Sequence, residues 1–120
     1  MISKKYTRDL ARAVLFCCLT AVGGLGIASA DDIAEGKKVA FDRKKGNCLA
    51  CHMIDDGSLP GNIGPPLVAM KARYPDKAKL RAQIWDATEA NPNTIMPPFG
   101  KHQILSEKEV DLITEYIYTL

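Results

Sequence analysis

The 120-residue chain predicts an all-α fold of three main helices, and three observations carry that reading. Apolar residues recur at helical spacing in three separate stretches, each opened by residues that favour a helix start. No convincing apolar–polar alternation of strand type stands between them. The connecting segments are long and rich in Gly and Pro, which confines regular structure to those three stretches.

The chain opens on a leader. Lys4, Lys5, Arg8 and Arg12 form a basic start, Ala13 to Ala28 is apolar, and Ala28-Ser29-Ala30 is the small-x-small pattern that a signal peptidase cuts. Residues 1–30 are therefore expected to be a signal peptide cleaved after Ala30, which directs export to the periplasm with no membrane insertion afterwards. The apolar run is shorter than the roughly 20 residues a spanning helix needs. Cys17 and Cys18 would leave with the leader; lipid attachment there is not expected, because Phe16 and Cys17 stand where such a site prefers small residues. The whole chain carries a net charge of +2. Residues 31–120 alone hold 12 basic and 13 acidic side chains, so the basic balance belongs to the leader and does not argue for nucleic acid as a partner.

The first helix of the 31–120 domain is expected to start at Asp31 or Asp32, whose carboxylates suit a helix N-terminus, and to run through Ile33, Gly36, Val39 and Ala40 towards Lys45. Gly46-Asn47 stops it. Gly36 costs a helix about 1 kcal/mol relative to Ala, so its place in the pattern points either to a close helix crossing, the favoured reading, or to mere tolerance. The second helix is expected from Pro75-Asp76 to about Ala90, with Leu80, Ile84 and Ala87 facing inward. The third is the clearest. Ser106 and Glu109 form a capping box, and Val110, Ile113, Ile117 and Leu120 follow at helical spacing, with Leu112 and Tyr116 widening the stripe.

Between the first and second helices stands Cys48-Leu49-Ala50-Cys51-His52, the CxxCH pattern of covalent haem attachment. Two thiols three residues apart lie on one turn and can both reach the vinyl groups along one porphyrin edge. His52 is then carried over the macrocycle as the proximal axial iron ligand. A structural zinc site would want two spaced ligand pairs, and only His52 and the distant His102 accompany the cysteines. A thioredoxin-like pair would want strands around it, and a plain disulfide would leave His52 unexplained. A 90-residue domain buries a thin core, so one covalently held haem c per chain would brace the fold as well as serve it.

The distal iron ligand has to come from downstream. Met53 is tied to the proximal side by its neighbour His52, Met70 reads as core filling, and His102 is a lone histidine in a polar stretch. Met96 lies in Asn91-Pro92-Asn93-Thr94-Ile95-Met96-Pro97-Pro98-Phe99-Gly100, a loop stiffened by proline. A thioether binds well only when the chain already holds it in place, so Met96 is the expected ligand. Nothing else in the domain is arranged for catalysis. Trp85, Tyr74, Tyr116 and Tyr118 read as core or rim, with Trp85 a candidate hydrogen-bond donor to a propionate.

Gly64-Pro65-Pro66-Leu67 resembles the GPxL segment of class I cytochromes c. That resemblance implies a small cytochrome c fold and gives Pro65 a role, its carbonyl accepting the second N–H of His52 and fixing its tautomer. The runs Gly36 to Cys48, Asn62 to Leu67 and Asn91 to Gly100 are further similar to SoxX, the small cytochrome subunit of the bacterial sulfur-oxidation complex SoxXA. This implies a periplasmic monohaem cytochrome that accepts electrons from the SoxA subunit during thiosulfate oxidation, within an L-cysteine S-thiosulfotransferase complex acting on the carrier SoxYZ. The chain would pass electrons to a downstream cytochrome c or oxidase without performing the sulfur chemistry itself. Two other readings stay open: a free electron-shuttling cytochrome c, and a haem sensor or enzyme in which Met96 is displaceable.

Overall fold

The computed structural model describes residues 28–120. The leader up to residue 27, with Cys17 and Cys18, lies outside the described residues. Four α-helices follow in order: α1 (Ala30–Phe41), α2 (Met70–Arg73), α3 (Lys77–Trp85) and α4 (Glu107–Ile117), with a 3-10 turn at Cys48–Ala50. Among the described residues there is no strand, so the all-α expectation holds. The three main helices of the sequence are α1, α3 and α4; α2 is one extra turn.

Each boundary has a local cause. Ser29 caps α1, its hydroxyl accepting the Asp32 N–H while the Asp32 carboxylate accepts the Ser29 N–H. The helix thus starts at Ala30, one or two residues before the acidic residues expected to open it. It ends at Phe41 rather than Lys45, because the Asp42 carboxylate takes the Lys44 N–H at 2.8 Å and the Asp42 carbonyl takes those of Lys45 and Asn47. Side-chain capture of this kind offers the backbone an alternative to the helix. The same device shortens α3. The Asp86 carboxylate accepts the Thr88 N–H at 3.1 Å and the Thr88 hydroxyl, so the helix stops at Trp85 and not near Ala90. In α4 the Ser106–Glu109 capping box is present as expected.

The core forms where α1 and α4 cross, with α3 packed on α4. A Cβ on Gly36 would lie 2.0 Å from the Leu112 carbonyl oxygen, so glycine is what permits the close crossing. Beside it the rings of Phe41 and Tyr116 meet edge to face, 5.9 Å apart. Val39, Ala40, Leu80, Ile84, Val110, Ile113 and Ile117 are all buried, which matches the inward faces read from spacing. This packing occupies one side of the domain. On the other, the irregular segments 46–69 and 86–105 form the walls of an apolar cleft.

Candidate functional site

One turn of 3-10 helix carries the two thiols. The N–H groups of Cys51 and His52 both bond the Cys48 carbonyl, at 3.2 and 2.9 Å, which sets Cys48 and Cys51 one turn apart with His52 directly after. Both cysteines are free and partly buried. Burial pushes the Cys48 thiol up to about 11, so it stays protonated at neutral pH. Among the described residues no group of three or more His, Cys, Asp or Glu stands together as a metal cage.

The segment after the motif folds back along it. Gly61, Gly64 and Leu67 donate their N–H groups to the carbonyls of Leu49, Cys51 and Met53 at 2.7, 2.8 and 2.9 Å. This seats Pro65 beside the histidine, with His52 Nδ1 and the Pro65 carbonyl oxygen 2.7 Å apart. A carbonyl can only accept, so Nδ1 carries the proton and Nε2 keeps its lone pair. Gly64 lies against the same ring; a Cβ there would come within 2.5 Å of His52 Cε1 and 3.0 Å of Nε2. Side chains larger than hydrogen are excluded from this contact.

His52, Cys48, Cys51 and Pro65 line the cleft together with Met96, Thr94, Ile95 and Pro97 from the opposite connection. Apolar Leu67, Met70, Leu80, Ile84, Phe99, Ile113 and Ile117 complete its walls. The Met96 N–H bonds Thr94 Oγ1 at 3.1 Å, and the Met96 side chain is half-buried. Met70 is 1% exposed, the core filler it was taken for. His102 is exposed and outside the cleft. Trp85 is not among the lining residues either; its ring lies under the Arg81 guanidinium at 5.3 Å and against Gly100.

Arg73 is the charged lining residue that sequence reasoning missed, as it missed Gln83 and Leu105. It is the one Lys, Arg, Asp or Glu lining the cleft, and its Nη1 donates to the Pro66 carbonyl at 2.7 Å. Consecutive prolines thus anchor the histidine and the guanidinium. The available signal was a basic residue shortly after Gly64-Pro65-Pro66-Leu67, too little on its own.

The residues fit haem c. Two thiols on one turn, a histidine in the right tautomer, a thioether in the same cleft and a mainly apolar lining are what a covalently held porphyrin requires. Comparison with known proteins agrees. The family model for cytochrome c matches residues 33–120. An uncharacterized lipoprotein of Aquifex aeolicus (strain VF5) is 34% identical over 76 residues, covering 62% of this chain and 37% of the relative; the chain thus spans little more than a third of that protein's length. The crystal structure of SoxXA from P. pantotrophus is similar with a TM-score of 0.65 and 27% identity, over 72% of this chain and 79% of the matched one.

Proposed function

The chain belongs to the cytochrome c family, binding haem c covalently, and on that premise we propose that it is a periplasmic electron carrier of SoxX type, partnered by a SoxA subunit in thiosulfate oxidation. The observation that carries the reading is the pairing of an oriented His52 with Met96 in one cleft. When bound, haem c supplies a one-electron ferric/ferrous couple.

In this reading Cys48 and Cys51 hold the group by two thioether bonds, and His52 offers Nε2 as proximal ligand. Pro65 keeps Nδ1 protonated and the ring oriented; a histidine whose second nitrogen is hydrogen-bonded is also a stronger donor. Met96, across the same cleft, would supply the second iron ligand; with both positions filled no site would be left for substrate, and a thioether would raise the potential relative to a second histidine. Arg73, the one charged side chain of the lining, would offer a cation to the acid groups of the cofactor. The apolar lining keeps water from the iron and lowers the reorganisation that each electron transfer requires.

The SoxA partnership rests on the likeness to SoxXA and on the Asn-Pro-x-Thr-x-Met-Pro wording of the distal loop. On this reading SoxA joins thiosulfate to a cysteine of SoxYZ, while this chain takes the electrons and passes them to a cytochrome c or oxidase. Co-expression with a SoxA protein tests it: a heterodimer stable through purification is expected, and a monomer that binds no SoxA at any salt concentration would leave a free shuttle cytochrome. We further propose that the leader is removed after Ala30. That cut releases Ser29 and its cap, a loss of about 1 kcal/mol. The lipoprotein relative favours a second reading, in which the protein stays anchored at the membrane; intact mass of the exported protein separates a cut after Ala30 from a lipidated or uncut leader.

A further inference from the structure

The distal loop is fastened at its neck. Residues 86–101 leave α3 and return to its end, where the N–H groups of Gly100 and Lys101 both reach the Trp85 carbonyl, at 3.1 and 3.3 Å. At the same point Lys101 Nζ donates to Asp86 Oδ2 at 2.5 Å. The other carboxylate oxygen takes the N–H and the hydroxyl of Thr88. Asp86 is 5% exposed, so it is a nearly buried charge whose cation comes from the far end of the loop, fifteen residues on. Glu89 adds a second carboxylate 4.0 Å from Lys101. Gly100 completes the closure: a Cβ there would lie 2.0 Å from the Trp85 ring, so the strand of chain leaving the loop lies directly on the indole.

Between these two ends the loop buries Ala87 and Phe99 and bonds little to the rest of the domain. Its tip, Asn91 to Asn93, is exposed, and its internal bonds are local: Asn91 N–H to the Ala87 carbonyl, Thr94 N–H to the Asn91 carbonyl, and Met96 N–H to Thr94 Oγ1. A weak thioether ligand held by such a loop stays in place only if the loop cannot open. Lys101 is half-exposed, but its loss leaves the nearly buried Asp86 carboxylate without a cation, which is more costly than loss of a fully exposed ion pair.

We propose that Asp86 and Lys101 form a latch that closes the distal loop and so keeps Met96 on the iron, making them positioning residues for the sixth ligand. The inference rests on the reading of Met96 as that ligand. Closed, the latch leaves the iron six-coordinate and the protein a pure electron carrier. Open, it exposes a coordination position to small ligands. Lys101 and, after it, Thr88 hold the Asp86 carboxyl below its ordinary range, in keeping with a pair that is ionised throughout the physiological range.

The test uses the haem-loaded full chain with Asp86→Asn, Lys101→Gln and Lys101→Arg, and Met96→Ala as control. The readouts are the far-red thioether-to-ferric band, carbon monoxide binding by the reduced protein, and far-ultraviolet circular dichroism. In Asp86→Asn and Lys101→Gln, the band should vanish on heating well before the helices melt, and carbon monoxide should bind roughly tenfold to a hundredfold faster. Lys101→Arg keeps the cation and should restore both properties. If both uncharged variants keep the band until the helices melt and refuse carbon monoxide as the parent does, the latch is overturned. It is overturned equally if band and helices are lost together at a lower temperature, because the pair would then be merely structural. A parent protein with no far-red band, or a Met96→Ala variant that retains it, would instead overturn the ligand assignment beneath it.

Discussion

The two walls of the cleft are held by different means. The proximal wall, Cys48 to Leu67, is stitched along its length by backbone hydrogen bonds, with Gly64 and Pro65 pressed on either flank of the His52 contact. The distal wall, Asp86 to Lys101, is bonded locally within itself and closed at the neck by the Trp85 carbonyl and by the pairing of a nearly buried Asp86 with a half-exposed Lys101. A ligand fixed by many short-range bonds and two covalent ones should be inert. A ligand fixed by closure of one loop should be the one that exchanges, so the asymmetry assigns lability to Met96 and permanence to His52.

The largest effect should come from undoing the covalent part of the proximal wall. Replacing Cys48 and Cys51 together by Ala should abolish attachment, so that haem no longer travels with the polypeptide on a denaturing gel. Smaller but still substantial is Gly64→Ala. Its Cβ would lie 2.7 Å from His52 Nδ1, and forced displacement of a packed ring costs about 1–3 kcal/mol, measurable as a lowered urea midpoint. The matching change on the distal wall is Pro97→Ala, which should weaken loop closure by only about 0.4–1 kcal/mol by freeing the open state. Its sign is a lower temperature for loss of the far-red band with an unchanged helix melt.

An ion pair outside the cleft lining sharpens the comparison by touching neither ligand. Lys45, and after it the Ser106 N–H, hold the Glu109 carboxyl down at about 2. The folded value lies below the ordinary one, so this stabilisation is complete above about pH 4.5 and is lost as pH falls towards about 2. Glu109→Gln should therefore be less stable than the parent near neutral pH, by under about 1 kcal/mol for a largely solvent-screened pair. The gap should close in urea titrations towards about pH 2–3, with the far-red band unaffected.

Much of this was legible in the chain. CxxCH, the Ser106 capping box and the crossing at Gly36 depend on short spacings or on one residue type that admits few substitutes. What was missed depends on side chains competing with the backbone or meeting over distance. Asp42 and Asp86 end their helices early by capturing the N–H groups of Lys44 and Thr88, an event that periodicity does not register. Ser29 caps α1 from within a stretch that also spells a cleavage signal. A one-turn helix shows no period, so α2 and its Arg73 were invisible. The Asp86–Lys101 pair joins residues whose sequence neighbours give no hint that they meet.

The account stands on Met96 and His52 sharing one closed iron, and the far-red absorption of the ferric protein tests this most directly. The parent should show the thioether band and, when reduced, resist carbon monoxide, whereas Met96→Ala should lack the band and bind the gas readily. Persistence of the band in Met96→Ala would contradict the account and require a different sulfur at the iron.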